Sequence, residues 1–241
     1  MISVVLASYN GEKYIKQQLL SLLACLGAHD EIIVSDDDSR DTTRTVVESV
    51  KDSRVKLLPK GPRLGYQKNF ERAILASKGQ IILFSDQDDI CLSDRIEISL
   101  HLLETVSVVA GDAQVVDANL MQTAQSYFEQ REISDFSPLS LFAKPKIIGA
   151  TMGARREFLE YAMPFPANIP HDQWISIIAA IHGQLMVSSK KFIQYRRHEK
   201  VVTHWNGERR PLRTILLERI SLFFLLILKL LSSKFSLKLE W

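Results

Sequence analysis

Apolar residues in the first ninety positions alternate between short unbroken runs and segments of helical spacing. The runs are nearly continuous, which is typical of strands buried on both faces, and we predict four of them: residues 2–7, 31–35, 55–58 and 81–84. Between the runs, apolar positions recur at helical spacing and predict three helices: residues 12–25, 42–51 and 67–77. Strands that alternate in this way with helices indicate βαβ units and a mostly parallel sheet.

The second half of the chain follows a less regular pattern. Apolar runs predict further strands at four places: residues 106–110, 147–154, 184–188 and 192–195. The run at 147–154 contains two glycines, which suggests a strand over which a substrate passes closely. Residues 122–140 are polar and irregular and predict a mobile excursion, whereas an apolar helix is expected over residues 171–181.

Acidic residues cluster directly after two of the predicted strands. Asp36 and Asp37 follow the second strand, and Asp86, Asp88 and Asp89 follow the fourth. Right-handed crossovers bring the carboxyl ends of parallel strands to one edge of the sheet, where open α/β sheets bind ligands. Carboxylates this close together repel one another, so we predict a divalent cation there that itself holds a diphosphate. The alternative is a solvated acidic turn that caps the next helix.

Composition and glycine pattern narrow the class of protein. The length of 241 residues, the 46% hydrophobic content and the 24% charge are those of a globular α/β domain. No G-x-G-x-x-G sequence follows the predicted strands, which argues against a dinucleotide-binding oxidoreductase. Cys25 and Cys91 lie on apolar segments without metal-binding spacing, so we expect reduced buried thiols in a cytosolic protein without a signal peptide.

Charge is unevenly distributed along the chain. The formal net charge is +2, yet residues 190–241 hold 12 lysines and arginines against 4 acidic residues. The same region contains an apolar run at residues 220–228, which is too short to span a bilayer because roughly 20 apolar residues are needed. We therefore predict a basic tail over residues 206–241 that lies on a membrane and binds no nucleic acid. The alternative is a helix that packs on the protein or on a second subunit, as in a homodimer.

Five short motifs occur in a familiar order: S-V-V-L-A-S-Y-N-G-E at residues 3–12, D-D-D-S at 36–39, S-D-Q-D-D at 85–89, H-D-Q-W at 171–174 and Y-R-R-H at 195–198. Together they resemble the GT-A glycosyltransferases of family 2, and most closely the bacterial branch that builds O-antigen and capsule repeat units. The resemblance implies a GT-A fold, an α/β domain with a Rossmann-like, mostly parallel sheet. It covers residues 1–205, with a nucleotide-sugar half at 1–110 and an acceptor half at 111–205.

The resemblance also implies roles for individual acids. Asp37 would bind the nucleobase with Asp36 in support, Asp86 would hold the ribose and the metal, and Asp88 would be the most direct metal ligand. Asp172 would be the general base. Its alternative role is a simple helix cap.

Two residues depart from the family pattern. Asp38 stands where the family usually has glycine, so the local turn is expected to differ. His171 stands where many relatives have glutamate, a form that occurs in the rhamnosyltransferase-like branch.

The resemblance also assigns further residues to the two substrates. Ala7, Tyr9 and Lys68 are expected on the nucleotide side, although Lys68 is alternatively a solvated surface cation. On the side of the acceptor or its diphosphate we expect the following five residues: His171, Trp174, Arg196, Arg197 and His198. Trp174 would offer a face on which a sugar stacks, and its alternative role is that of a plain core residue. The two arginines and His198 would clamp a diphosphate, and their alternative is a solvated basic turn.

The function that the resemblance implies is inverting transfer of a sugar with Mn²⁺ or Mg²⁺. The donor would be a UDP-hexose or dTDP-rhamnose, and the acceptor a lipid-diphosphate-linked saccharide at the cytoplasmic face of the inner membrane, in bacterial surface polysaccharide synthesis. Two alternatives remain open: a non-catalytic nucleotide-sugar-binding module, and a metal-dependent phosphohydrolase or nucleotidyltransferase.

Overall fold

A computed structural model describes residues 1–198 and 212–232. Its first half alternates strands and helices as the apolar pattern predicts. The elements are β1 (Ile2–Ser8), α1 (Ile15–Cys25), β2 (Glu31–Asp36), α2 (Thr43–Ser49), β3 (Val55–Leu57), α3 (Tyr66–Ala76) and β4 (Ile81–Asp86).

The second half contains shorter and more varied elements. They are β5 (Ile90–Cys91), α4 (Arg95–Leu103), β6 (Val108–Val116), β7 (Gln122–Ala124), α5 (Tyr127–Gln130), α6 (Pro138–Ala143), a 3₁₀ turn (Gly149–Thr151), β8 (Gly153–Arg155), α7 (Arg156–Ala162), α8 (His171–Ile181), β9 (Leu185–Arg196) and α9 (Leu212–Ser232).

The strands form one sheet in the order β3-β2-β1-β4-β8-β6-β9-β5, with β7 beside β6. The first four strands in this order are parallel to one another, so the carboxyl ends of β1, β2 and β4 share an edge. Both faces of this half are covered. On β1, Val4 and Leu6 pack with the helix α1, whereas Val5 packs on the other face with Phe70 and Ile74 of α3.

The second half extends the sheet with mixed strand directions. β8 is antiparallel to both β4 and β6, and β9 runs parallel to β6 with register shifts near Asp112. At the far edge, β5 is antiparallel to β9 and pairs Ile90 with Gln194. This pairing matters for the site, because it carries the end of β9 to the acidic residues that precede β5.

Several boundaries differ from those expected. The two strands predicted at 184–188 and 192–195 are one strand, β9, because the polar residues at 189–191, of which 189 and 190 are exposed, interrupt the apolar pattern without ending the ladder. The run at 147–154 divides into the 3₁₀ turn and β8. The excursion at 122–140 is not wholly irregular, since it holds β7, α5 and the start of α6.

The helix α9 lies against the globular body through one side only. Leu222 and Leu226 are buried in the main core cluster, and Lys229 Nζ donates to Met163 O at 3.0 Å. The opposite side exposes eight large apolar residues: Leu216, Leu217, Ile220, Phe223, Phe224, Ile227, Leu228 and Leu231. Within residues 1–198 and 212–232, none of the helices is long and apolar enough to cross a membrane.

Candidate active site

The turn that follows β1 is fastened to the acidic segment that follows β4. Gln87 Oε1 accepts from Tyr9 N at 2.9 Å, and Gln87 Nε2 donates to Tyr9 O at 3.0 Å. Gly11 lies against the same amide, so closely that a Cβ atom there would collide with Gln87 Oε1. Ala7 lies beside Asp86 in the β1–β4 ladder. The structure thus brings Ala7 and Tyr9 to the acidic cluster.

Asp36 and Asp37, where β2 ends, have carboxylates that the protein itself supplies with hydrogen-bond donors. Asp36 accepts from Ser8 Oγ at 3.1 Å, from Ser39 N at 3.1 Å and from the Ser39 hydroxyl. Asp37 accepts from the backbone N–H groups of residues 64–65, which begin the approach to α3. Both side chains are buried. These bonds fix the loop around the position assigned to the nucleobase.

Asp38 adopts the backbone conformation that a glycine would favour at this position. Its φ is +64°, in the left-handed region, which aspartate tolerates better than most residues. Lys60 Nζ lies 3.1 Å from Asp38 Oδ1, and Arg63 stacks over the Tyr9 ring with its guanidinium carbon 4.1 Å from the ring centre. The substitution of aspartate for glycine therefore leaves a left-handed turn in place.

Asp86, Asp88 and Asp89 form the second acidic group, and the charges of Asp86 and Asp89 are poorly compensated. Burial first, and then the charges of Asp88 and Asp172, raise the pKa of Asp86 above its ordinary value. Burial also raises the pKa of Asp89, which is almost fully enclosed. Raised pKa values indicate that the folded chain disfavours these negative charges. A cation bound here would restore the balance.

Arg196 holds the backbone of this acidic segment. Its guanidinium donates to Asp88 O at 2.7 Å, to Ala118 O at 2.9 Å and to Gln17 Oε1 at 2.8 Å. Its own N–H donates to Asp89 Oδ1 at 3.0 Å. The side chain is buried, so the expectation that Arg196 clamps a diphosphate is wrong for this structure: its donors are used within the protein.

His198 reaches the same segment from the end of β9. Its Nε2 lies 2.8 Å from Asp88 Oδ2, and its ring lies 4.9 Å from the ring of Tyr14. Sequence reasoning placed His198 near a diphosphate and did not connect it to Asp88. Only the pairing of β5 with β9 reveals this contact.

Asp172 lies at the start of α8 and is partly exposed. The N-cap of α8 is Pro170, and Asp172 Oδ1 accepts from the neighbouring Gln173 N at 2.7 Å, which also satisfies one of the N–H groups of the first helical turn. Burial raises the pKa of Asp172 to about 6. Tyr66 lies near both Asp172 and Asp86, whose charges add to the effect of burial and raise its pKa to about 12. The charges of Asp172 and Asp86 therefore interact, and the space around Tyr66, Asp86 and Asp172 is called the cleft below.

Two neighbours of Asp172 do not match their expected roles. Trp174 is 2% exposed, lies in the core and donates from Nε1 to Ala162 O at 2.8 Å, so its indole offers no face to a sugar. His171 is enclosed by Phe70, Phe84 and other rings, and burial lowers its pKa to about 3. A neutral imidazole brings no positive charge to a diphosphate.

The remaining assigned cations lie at the margins of the cleft. Lys68 Nζ lies 2.7 Å from Glu71 Oε2 on the same helix, which is a pairing within α3 and not with the acidic cluster. Arg197 is partly exposed and donates from Nη1 to the Tyr195 hydroxyl at 3.2 Å. The charges of Arg197, Asp172 and Arg131 all act on Tyr127, whose pKa is raised chiefly by burial. Tyr127 and Arg131 were not singled out from the sequence.

Comparison with known proteins identifies the family. The sequence profile described as glycosyl transferase family 2 matches residues 3–161, which is more than half of the chain. The chain belongs to glycosyl transferase family 2. The matched range includes both acidic groups but ends before Asp172 and His198, so the family assignment does not reach those two residues.

One bacterial relative illustrates the similarity within family 2. The Escherichia coli protein named UDP-Glc:alpha-D-GlcNAc-diphosphoundecaprenol beta-1,3-glucosyltransferase WfgD is 34% identical over 121 residues, which cover 49% of this chain and 48% of the relative. The aligned part thus spans about half the length of that relative.

Solved structures show that this family 2 chain has the GT-A fold. Staphylococcus aureus TarS, residues 1–349 in complex with UDP-GlcNAc, superposes with a TM-score of 0.72 at 21% identity, covering 98% of this chain and 68% of that one. The mannosyltransferase PcManGT from Pyrobaculum calidifontis, in complex with GDP-Man and Mn²⁺, gives a TM-score of 0.65 at 17% identity, covering 95% and 64%. The predicted fold is confirmed.

Asp88 and His198 are the residues of the cleft that could hold a divalent cation. Asp88 and His198 present a carboxylate oxygen and an imidazole nitrogen side by side, and both are ligand types that proteins use for such ions. Among the described residues, groups of three or more His, Cys, Asp and Glu side chains that could enclose a metal are absent. A divalent cation held by these two residues would need further oxygen ligands from outside this pair.

Proposed function

We propose that the chain transfers a sugar from a nucleotide-diphosphate donor to an acceptor hydroxyl, with inversion at the sugar carbon and with Asp172 as the general base. The observation that carries this proposal is the shared cleft: Asp172, with its raised pKa, acts electrostatically on Asp86 in the acidic cluster of the donor side. A binding module would have no use for a second, desolvated carboxylate on the acceptor side.

The chemistry follows from the two sides of this cleft. Asp172 accepts the proton of the acceptor hydroxyl, whose oxygen attacks the sugar C1 opposite the nucleoside diphosphate. A base with a pKa of about 6 is deprotonated at neutral pH and remains basic enough to help, which is typically worth about 10² to 10⁴ in rate. A Mn²⁺ or Mg²⁺ ion held by Asp88 and His198 would supply positive charge to the departing diphosphate.

The nucleotide side rests on the loops around Asp37. The Tyr9 and Arg63 side chains, stacked 4.1 Å apart, lie next to Asp37, whose Oδ2 is 4.0 Å from Arg63 Nε. A buried carboxylate at this position would accept the imide N–H that uracil and thymine share. This chemistry supports UDP-hexose and dTDP-rhamnose as candidate donors and favours neither.

The acceptor is proposed to be a lipid-diphosphate-linked saccharide, as in bacterial surface polysaccharide synthesis. The name of the E. coli relative specifies an acceptor of this class. In this chain, the charges of Arg197 and Asp172 both act on Tyr127, which is the basis for the proposal that a diphosphate group binds on this side. The helix α9 is near the same region, since Glu218 and Arg219 line a cavity of about 260 Å³ together with Tyr66 and Pro170.

We also propose that α9 lies on the anionic cytoplasmic surface of the bacterial inner membrane. Its eight exposed apolar residues occupy one side of the helix, and the chain from residue 190 onward carries the excess of positive charge described above. An apolar face with surrounding cations is the pattern of interfacial helices. The helix would then place the acceptor side of the cleft next to the lipid.

Vesicle sedimentation tests the membrane contact. The double substitution Phe224→Ser with Leu228→Ser should reduce binding to anionic vesicles, whereas Leu75→Ser, an exposed leucine of α3, should not. Unchanged sedimentation of the double variant would contradict the proposal. A dimer in solution that the same double variant dissociates would show that a second copy, not lipid, covers α9.

Product analysis tests the reaction itself. Purified chain is incubated with UDP-glucose or dTDP-rhamnose, Mn²⁺ and a GlcNAc-diphospholipid, and the soluble products are separated. The proposal predicts nucleoside diphosphate that is released only with acceptor, and an inverted anomeric configuration in the lipid product. Release of phosphate or pyrophosphate would indicate a phosphohydrolase or nucleotidyltransferase, and binding without product would indicate a binding module.

A further inference from the structure

The two cysteines of the chain lie together where α1 packs against β5. Cys25 ends α1 and is partly exposed, whereas Cys91 in β5 is buried. Both thiols lie near one backbone carbonyl: Cys25 Sγ is 3.7 Å and Cys91 Sγ is 3.6 Å from Leu92 O, and Cys25 Sγ is also 3.3 Å from Ser21 O. Ser21 fixes the contact, because its Oγ accepts from Cys91 N at 3.0 Å. The two thiols therefore form a pair.

A buried cation lies beside this pair. The Arg95 side chain is fully enclosed, and its Nη2 donates to Phe84 O at 2.6 Å and to Met152 O at 3.4 Å. Its Nε and Nη1 have no hydrogen-bond partner among the described residues. The positive charge of Arg95 acts on Asp86 and Asp89 as well as on Cys91, so a thiolate at Cys91 would be one of the anions that compensate this enclosed guanidinium.

The charge state of the pair agrees with this arrangement. A hydrogen bond from the Cys25 thiol, and then the positive charge of Arg95, lower the pKa of Cys91 to about 7 against the opposing effect of burial. The pKa of Cys25 is raised, chiefly by the same hydrogen bond. One thiol is thus favoured as the thiolate and the other as the proton donor, a division found in redox-active cysteine pairs. Neither residue has a role in the sugar transfer proposed above.

We propose that Cys25 and Cys91 form a redox-active dithiol that a peroxide converts to an intramolecular disulfide beside the donor site. The Cys91 thiolate attacks one peroxide oxygen, the O–O bond breaks, and Cys91 becomes a sulfenic acid while hydroxide leaves. The Cys25 sulfur then displaces the sulfenic hydroxyl, the S–S bond forms, and the thiol proton leaves with that hydroxyl as water. In sum, two thiols and one peroxide give one disulfide and two waters.

The position of the pair connects it to the donor site. β5 begins directly after Asp88 and Asp89, and the partner helix α1 carries Gln18, whose Nε2 donates to Ser85 Oγ at 2.7 Å behind the acidic cluster. A disulfide would join these two elements and remove the thiolate from Arg95. We therefore expect weaker nucleotide binding after oxidation. This expectation rests on the proposed function, whereas formation of the disulfide does not depend on it.

Intact mass after peroxide treatment tests the disulfide. The full chain treated with hydrogen peroxide should lose about 2 Da, and a peptide containing Cys25 linked to Cys91 should appear in a digest. The matched variant Cys25→Ser should not lose this mass, and its Cys91 should react with dimedone as a sulfenic acid. Two thiols that remain open to alkylation after peroxide treatment and unfolding would overturn the proposal, as would a disulfide between two chains.

Calorimetry with UDP and Mn²⁺ tests the connection to the donor site. The oxidised chain should bind UDP about fivefold or more weakly than the reduced chain, and a reductant should restore the affinity. Equal affinities with a confirmed disulfide would overturn this connection. A reduced chain that binds no nucleotide would count against the proposed function instead, and the mass measurement would stand unaffected.

Discussion

The two acidic groups at the edge of the sheet differ in how the protein treats their charge. Asp36 and Asp37 receive hydrogen bonds from serine hydroxyls and backbone N–H groups within the loops that they join. Asp89 is buried and Asp86 is partly exposed, and desolvation together with the charges of neighbouring acids raises the pKa values of both. The carboxylates of the first group therefore have hydrogen-bond donors within the protein, whereas the negative charges at Asp86 and Asp89 lack sufficient compensation.

This difference separates carboxylates that already accept hydrogen bonds from the protein from carboxylates whose charge would be balanced by a cation. Asp36 joins its loop to Ser8 and Ser39, and Asp37 joins its own to residues 64–65, through hydrogen bonds made by the protein alone. At Asp86 to Asp89 the negative charges oppose folding until a cation is bound. The predictions below test whether the two groups behave in these opposite ways.

The largest effect is expected at Asp88. Asp88→Ala should reduce transfer about a thousandfold or more, because it removes the carboxylate that pairs with His198 in the proposed metal site. Asp94→Ala, an exposed acid on the same segment, is the matched control and should retain activity. Activity is measured with Mn²⁺ and again in EDTA. Full activity of the wild-type protein in EDTA would show that transfer does not require a metal ion.

A smaller effect is expected at Asp37. Asp37→Ala should weaken nucleoside diphosphate binding by about 1–3 kcal/mol, since both the proposed nucleobase contact and the bonds to residues 64–65 are lost. The control is Asp38→Gly, which restores the residue usual in the family at a left-handed backbone position and should leave affinity unchanged. Calorimetry with UDP and dTDP measures both. Unchanged affinity of the Asp37 variant for both nucleotides would contradict the assignment.

The smallest effect is a gain in stability at Asp86. A carboxyl whose pKa is raised on folding binds its proton more tightly in the folded state, so stability is greatest below its ordinary pKa and falls as pH rises towards the raised value. Asp86→Asn should therefore stabilise the metal-free protein by about 1–2 kcal/mol at pH 8, with a smaller gain at pH 5.

Urea unfolding in EDTA at the two pH values provides the measurement. Asp52→Asn is the control of opposite sign, because hydrogen bonds from Arg54 lower the pKa of Asp52 to about 2 and its substitution should not stabilise the fold. An Asp86→Asn protein that is less stable than wild type at pH 8 would show that the acidic cluster is compensated after all.

Features that depend on local sequence pattern could be predicted from the sequence, whereas features that depend on contacts between distant residues could not. The strands β1, β2 and β4 are apolar almost throughout, so local pattern alone places their acidic ends on one edge. Arg196 could not be assigned in this way, because its guanidinium partners Ala118 and Gln17 lie 78 and 179 residues away in the chain.

Residues of the acceptor half were harder to interpret for the same reason. The H-D-Q-W motif shows that Asp172 and Trp174 lie on one helix, but only packing decides that the indole enters the core while the carboxylate faces the cleft. The helices α4 and α7 were not predicted. Their sequences, at 95–103 and 156–162, are short and contain few positions that could show the helical repeat of apolar residues. Local pattern therefore predicts the donor side better than the acceptor side.

The central claim is that Asp172 removes the proton from the acceptor, and the kinetics of Asp172→Asn test it most directly. Asparagine keeps the shape of the side chain but cannot accept a proton at neutral pH. We expect kcat to fall about a hundredfold or more with donor affinity little changed, and the rise of wild-type kcat/KM through about pH 6 to disappear. An Asp172→Asn enzyme with kcat near that of wild type would contradict the claim and leave the base unidentified.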